Sequence, residues 1–220
     1  MTQQMKTKQM DFWLGDFGRE YTDRNAHTNE SWDDFYRKTW GKTKLEMNDA
    51  FIGHLPKESK ILEIGCNIGL QLNALQRAGF QNLYGIELQP YAVEEAKKLT
   101  KNINIICGSG FDLPFKDNYF DLICTNGVLI HISPSDLPKI MKEMIRCSGK
   151  YIWGFEYFSE TVTEINYRGH DNYLWKADYA DLFTKESGNL KLIKKEIYPY
   201  IENPANKDYM YLLEKKGTAI

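Results

Sequence analysis

Between residues 60 and 155 the chain alternates short apolar runs with helical periods, and this alternation restricts its fold more than any other feature. Residues 60–64, 82–86, 103–107, 119–125 and 150–155 read as strands. Between them, 68–78 reads as a helix stopped by Gly79, 91–99 as a helix with Pro90 in its first turn, and 135–147 as a helix opened by a Ser-Pro-Ser-Asp turn. Strands joined through helices pair in parallel by right-handed crossovers, and the resulting sheet is covered on both faces. Residues 190–198 and 208–214 also read as strands, but a proline-bearing loop leaves no room for a crossover helix between them, so they pair antiparallel. The expectation is an α/β fold, a doubly wound, seven-stranded, mostly parallel sheet with an antiparallel last strand.

Outside that alternation the chain reads differently. A lead-in helix spans 43–55 and is closed by Pro56, whereas residues 1–40 are polar and aromatic without clear period. An irregular insertion runs from 156 to 178, before a helix around 179–183. Eight aromatic residues fall between 11 and 40 and nine between 151 and 180, mixed with charges, glycines and asparagines out of period, a pattern suited to a cap over a ligand as well as to ordinary core. The expected organisation is one unit over 1–220: an N-terminal cap segment 1–40, a binding core 41–155, a cap insertion 156–180, and C-terminal strands 181–220.

Charge and composition narrow the function. With 28 basic against 30 acidic side chains, the net charge of -2 gives no general attraction to nucleic acid or to an anionic membrane. The polar start, residues 1–6, holds no apolar core segment, and no apolar run approaches the roughly 18 residues of a membrane span. A soluble, cytoplasmic protein is expected, with no nucleic-acid or membrane partner. Cys66, Cys107, Cys124 and Cys147 form no C-x-x-C pair, so neither a zinc cluster nor a redox dithiol is implied and no metal site is expected.

In open α/β sheets ligands bind beyond the carboxyl ends of the strands. The first strand-to-helix turn reads Glu63-Ile64-Gly65-Cys66-Asn67-Ile68-Gly69-Leu70, where Gly65 and Gly69 let a ligand approach backbone N–H groups. A nicotinamide fingerprint needs glycine at 67 and 70, where Asn67 and Leu70 stand, and no Gly-Lys-Ser/Thr follows to make a phosphate-binding loop. Glu87 ends the second strand, next to Leu88, where a carboxylate can accept both hydroxyls of a ribose. Then come Gly108-Ser109-Gly110-Phe111-Asp112-Leu113-Pro114-Phe115 and a fourth strand leading through Asn126-Gly127 to His131.

Together these segments resemble class I S-adenosylmethionine-dependent methyltransferases, with their Rossmann-like fold. E-I-G-C-N-I-G stands where the family has an acid, x and G-x-G-x-G, with Asn67 replacing the middle glycine; the 108–115 loop is similar to G-D-A-x-x-L-P-F, with Ser109 replacing aspartate. The resemblance implies that Glu63 lies near the cofactor's ammonium, Gly65, Cys66, Asn67 and Gly69 form the turn, Glu87 and Leu88 meet the ribose, and Ser109, Gly110 and Phe111 border the adenine. Asn126 and Gly127 would lie beneath the reacting methyl. A narrower likeness links Phe12-Trp13-Leu14-Gly15-Asp16-Phe17-Gly18, Tyr21-Thr22-Asp23-Arg24-Asn25, Arg146-Cys147-Ser148, Glu156-Tyr157 and Tyr167-Arg168-Gly169-His170 to the pseudaminic acid biosynthesis-associated methylase family. It implies a methyl acceptor in nonulosonic acid or related surface-glycan metabolism, a small acidic sugar or sugar nucleotide.

Such a reaction needs an acceptor held in line and, for a hydroxyl, a base. His131 is the first candidate, followed by Glu156, Tyr157 and His170; His131 could equally satisfy local backbone near Ser133. Tyr167, Arg168, His170 and Lys176 suit an acidic acceptor, with Tyr173 and Trp175 as stacking faces; a solvated loop pairing with Glu164, Asp171 and Asp178 is the other reading of the charges. Phe17, Tyr21 and Arg24 are expected to close over the methionine end. Two alternatives stand beside this reading: a methyltransferase acting on protein or RNA, and a catalytically silent cofactor-binding partner subunit.

Overall fold

The computed structural model describes residues 6–217, so the reading of the polar start falls almost wholly outside the described residues. Its main sheet is built from β1 (Lys60–Ile64), β2 (Asn82–Glu87), β3 (Asn104–Cys107), β4 (Phe120–Asn126), β5 (Ser148–Tyr157), β8 (Leu190–Pro199) and β9 (Lys207–Lys215), with the short strands β6 (Thr163–Glu164) and β7 (Trp175–Lys176) forming a separate pair. The order across the sheet is β3-β2-β1-β4-β5-β9-β8. β1 pairs in parallel with both β2 and β4, whereas β9 runs antiparallel to both β5 and β8. This is the expected doubly wound sheet, and the order reverses between β1 and β4, where the diverging crossovers leave a crevice.

Strand alternation sorts the core into two layers. Ile61, Leu122, Cys124, Trp153 and Leu212 face α4 (Lys44–Ile52), α5 (Leu70–Arg77) and α6 (Pro90–Leu99); Leu62, Ile64, Ile123, Ile152 and Leu213 face α7 (Leu137–Cys147) and α8 (Tyr179–Glu186). The lead-in helix begins at a capping box, in which the Thr43 hydroxyl accepts from the Glu46 N–H and the Glu46 carboxylate accepts from the Thr43 N–H at 2.7 Å.

The N-terminal region departs from the expectation of a periodless segment. It folds as α1 (Lys8–Leu14), α2 (Asp16–Arg24) and α3 (Asn29–Trp40). Thr7 and Thr28 cap α1 and α3 by accepting from Met10 N and Ser31 N, and Gly41 ends α3 with φ +79°. Each helix buries only two residues, such as Trp32 and Tyr36 of α3, too few to show as a stripe in sequence. β5 also runs two residues past its expected end, so Glu156 and Tyr157 belong to the sheet rather than to the insertion. Among the described residues no helix is long and apolar enough to cross a membrane.

The loop between β3 and β4 is clamped from α7. Arg146 donates through Nη1 to the Phe115 carbonyl and Asp117, and through Nη2 to the Leu113 carbonyl and Glu143, whose Oε2 accepts from Leu113 N at 3.0 Å. Arg146→Met is expected to lower the unfolding free energy by about 2 kcal/mol, a partly exposed charged network being worth less than a buried one. Urea titration checks this, an unchanged midpoint being the contrary result.

Candidate active site

The carboxyl ends of the central strands open into a cavity of about 540 Å³. The β1–α5 turn that floors it holds Gly65 (φ +68°), Asn67 (φ +45°) and Gly69 (φ +82°) in left-handed backbone. At Gly65 a Cβ would stand 2.6 Å from Val128 Cγ2, so glycine is required twice over, by conformation and by space. Asparagine tolerates the left-handed region, and Asn67 adds what a glycine lacks: its Nδ2 donates to Thr22 Oγ1 of α2 at 3.2 Å and its Oδ1 accepts from Ile68 N at 2.8 Å. Cys66 lines the cavity, its thiol pushed up by burial. Gly69 does not line it but opens α5, where a Cβ would press on Thr100 at 2.7 Å.

Acidic groups cross the top of the sheet. Glu87 accepts from Asn67 N at 2.9 Å and from Gln89 N at 2.8 Å, while burial raises its pKa. Glu63, one strand over, is 2 % exposed and its Oε2 has no hydrogen-bond partner among the described residues. Burial pushes it well above the usual carboxylate range; the Lys44 ammonium opposes that and Glu87 adds to it. Lys44 is itself fully buried, drawn down to about 7 by desolvation, with Nζ donating to Asn126 Oδ1 at 3.1 Å and lying 3.9 Å from the Phe155 ring centroid. Leu88, Ser109, Gly110 and Phe111 line the same cavity, but the Ser109 hydroxyl turns its own loop, accepting from Phe111 N at 3.2 Å.

Beyond β4, Asn126 and Gly127 line the cavity, with Gly127 N bonded to Phe155 O at 2.8 Å. Glu156 lines it too, yet both its oxygens are engaged in holding the next turn, accepting from Val128 N at 3.2 Å and Ile130 N at 3.3 Å, and burial raises its pKa to about 7. His131 stands at that turn's end. Its Nδ1 is 2.8 Å from the Tyr173 carbonyl, which can only accept, so Nδ1 carries the hydrogen and Nε2 presents a lone pair. Burial lowers the His131 pKa to about 4, and the ring edges of Trp13 and Tyr167 enclose it, with centroids at 4.7 and 5.0 Å.

Tyr21, Tyr157, Tyr167 and Arg168 also line the cavity. Other expected site residues do not. Phe17 stacks on Phe12 at 4.1 Å, and Arg24 lies over Phe17 and pairs with Glu20 at the surface. His170 and Tyr173 pack against Phe12, Trp175 is buried in β7, and Lys176 donates to Asn206 Oδ1 at 2.9 Å outside the chamber. The reason is mutual: the two aromatic clusters find each other, so α1 seals onto the insertion and their rings are used in the seal. Reading the sequence missed Trp13, Tyr36, Trp40, Gln89, Tyr200 and Asp208 in the lining, and Lys44 beneath it. Trp13, Tyr36 and Trp40 carried a signal only as members of the aromatic cluster 11–40, and Lys44 as a lysine in line with Met47, Asn48 and Phe51 on the buried face of α4.

Because folding holds His131 neutral, its own contribution to stability falls as pH drops from 6.5 towards 4: the unfolded chain takes up a proton there that the folded chain refuses. His131→Gln is expected to flatten this acid arm of the thermal melting profile; an arm as steep as that of the parent protein would contradict the assignment.

Residues 62–152 match the family model described as a methyltransferase domain. Norajmaline N-methyltransferase of Rauvolfia serpentina is 32% identical over 97 residues, covering 41% of this chain and 32% of that protein. The chain thus spans about a third of that curated relative's length. Among solved structures, 1,6-didemethyltoxoflavin-N1-methyltransferase of Burkholderia thailandensis, with 1,6-didemethyltoxoflavin and S-adenosylhomocysteine bound, superposes with TM-score 0.71 at 12% identity over 98% of this chain and 93% of that one. A SAM-dependent methyltransferase of Leishmania major gives TM-score 0.69 at 21% identity, over 94% and 87% of the two chains. At these identities the structures speak for the fold, and the family model for the segment: residues 62–152 match a methyltransferase domain model, and the sheet around them has the fold of these solved structures.

Proposed function

We propose that this protein is a cytoplasmic enzyme, folded as one unit, that moves a methyl group from S-adenosylmethionine to an oxygen or nitrogen of a small acidic sugar or sugar nucleotide of the nonulosonic acid type. The observation that carries the methyl-transfer reading is the orphaned Oε2 of Glu63 beside the Gly65 turn, a buried acceptor next to a turn where a Cβ would press on Val128. An ammonium answers that acceptor, so the residues fit the cofactor. Glu63 would hold its amino-acid end and the Gly65–Asn67 turn its backbone approach. Glu87 has lone pairs left after its two N–H bonds to accept ribose hydroxyls. Ser109, Gly110 and Phe111 would border the adenine, and Tyr21 would cover the other side.

When bound, the cofactor supplies a methyl group already activated as a sulfonium, and the chain's task is alignment and proton handling. His131 Nε2 is an acceptor at every pH above about 4, placed to take a hydrogen bond from an acceptor hydroxyl and its proton as methyl transfer proceeds. An amine acceptor needs no base. Tyr157 and Tyr167 offer ring faces, and Arg168 offers a bidentate fork to a carboxylate or phosphate at the exposed mouth. The acidic-sugar assignment is supported by the likeness of the 12–25 and 167–170 segments to the pseudaminic acid-associated methylases and by Arg168 at the cavity lining.

Gly65→Arg is expected to abolish S-adenosylhomocysteine binding in calorimetry while circular dichroism stays unchanged; retained affinity would remove the site assignment. His131→Ala should slow turnover of a hydroxyl acceptor by about 100-fold, leaving cofactor affinity within twofold. The substrate is read by incubating the protein with deuteromethyl-labelled cofactor and a metabolite extract: label in an acidic sugar or sugar nucleotide supports the reading, and label confined to protein or RNA contradicts it.

A further inference from the structure

The end of the cavity farthest from Glu87 is furnished differently from the rest. Asp208, the second residue of β9, lies three strand steps from Glu63 across the sheet (β1, β4, β5, β9), about 14 Å at roughly 4.8 Å per step, and is further displaced along the strand from Leu212, the β9 residue level with Glu63. It is paired in register with Tyr157 of β5 and Tyr198 of β8, so all three project from the same face. Asp208 is 1 % exposed and lines the cavity; neither carboxylate oxygen makes a well-formed hydrogen bond among the described residues, and the Tyr200 hydroxyl is a neighbouring donor close enough to lower its pKa. Lys44, the nearest candidate for an ion pair, donates to Asn126 instead. Trp40, whose ring meets that of Tyr200, ends α3 with its indole Nε1–H buried and likewise unpartnered among the described residues. The Trp40 ring sits 4.6 Å from Tyr36, 5.3 Å from Phe155 and 5.3 Å from Tyr200, and all four rings line the cavity.

A buried carboxyl and a buried indole N–H without well-formed partners destabilise the empty site, and a ligand that satisfies both removes that penalty. The two oxygens ask for several donors. A hydroxyl brings one, whereas an ammonium brings three from a single atom, and an ammonium is also the group that aromatic faces attract, here those of Trp40 and Tyr200, since Tyr36 and Phe155 already face the Lys44 ammonium. The indole N–H asks for an oxygen next to that nitrogen.

We propose that the Asp208–Trp40 end of the cavity is the acceptor subsite and that it takes a protonated amine flanked by an oxygen, the 1,2-amino alcohol unit of an amino sugar. This rests on the reading of the cavity as a methyl-transfer site and narrows its acceptor class. Arg168 at the mouth and Asp208 at the far end then hold opposite charges of one zwitterionic molecule. The electrostatics agree: burial and Glu156 hold Asp208 up at about 8 against the Tyr200 hydroxyl, Lys44 and Lys176, so an arriving ammonium ionises it and a proton leaves. Tyr157 and Tyr198, its cross-strand neighbours, are both neutral at that pH, their own values raised by burial.

The test titrates two amines, D-glucosamine and cyclohexylamine, and their neutral isosteres, D-glucose and cyclohexanol, into the protein holding S-adenosylhomocysteine, with binding read by saturation-transfer NMR. Both amines should bind at least tenfold more tightly than their isosteres. Asp208→Asn should erase that preference while S-adenosylhomocysteine affinity stays within twofold. Trp40→Phe, which keeps the ring and removes the N–H, should weaken D-glucosamine by severalfold and leave cyclohexylamine unchanged, and this arm decides the matter if the Asp208 variant does not fold. Isosteres binding as well as amines, or amines indifferent to both substitutions, overturn the proposal. S-adenosylhomocysteine that fails to bind while the amine preference holds would sink the methyl-transfer reading and leave this subsite standing.

Discussion

Glu63 is held in the middle of a seven-stranded sheet with one carboxylate oxygen that nothing in the described chain satisfies. A group buried in that way stays protonated or waits for a cation, and the elements around it keep both options open. Lys44 enters from α4 on the same side, close enough to lower the cost of charge at Glu63, but its Nζ contacts are to Asn126 and the rings of Phe155 and Tyr36. The lysine is therefore a support beneath the row of acids, and its depressed pKa reflects the same dryness that raises Glu63, Glu156 and Asp208.

The N-terminal helices make that dryness possible. Gln89, at the start of α6, reaches back so that its Nε2 meets the carbonyls of Trp13, Leu14 and Gly15 at 3.1–3.3 Å, pinning the end of α1 over the cavity. From the other side Phe12 packs on Tyr173 at 4.1 Å, and Gln9 donates to the Asn172 carbonyl at 3.1 Å. His131 completes the closure, because its Nδ1–H anchors the Tyr173 carbonyl while its ring touches Trp13. One histidine thus ties the turn after β4, the insertion and α1 together, and the tautomer that makes the tie leaves Nε2 as an acceptor.

Much of this was legible in the residues. The alternation over 60–155 set the sheet and its parallel half, since each apolar run and each helix period is a local property. The glycine turn and the acids at Glu63 and Glu87 were legible for the same reason, as short motifs at fixed offsets from strands. What escaped depends on distance along the chain. Lys44 acquires its role only when it meets Asn126, 82 residues away, and Asp208 only when antiparallel pairing sets it beside Tyr157. The aromatic clusters at 11–40 and 151–180 were legible as an excess of rings, but that the two segments meet, and which rings seal and which line, was decided by packing. His170 and Tyr173 went to the seal and Trp175 is buried in β7, while Trp13, Tyr36 and Trp40, from the N-terminal helices, line the chamber.

The central claim is that the buried Glu63 carboxyl awaits the ammonium end of an S-adenosyl ligand. Calorimetric titration of S-adenosylhomocysteine in two buffers that differ in ionisation enthalpy tests it directly, because a carboxyl held protonated by burial must release its proton when a cation arrives. Saturable one-to-one binding with net proton release is expected, and loss of that release with weakened affinity in Glu63→Gln. No binding, or binding with the same proton count in the variant as in the parent protein, would contradict it.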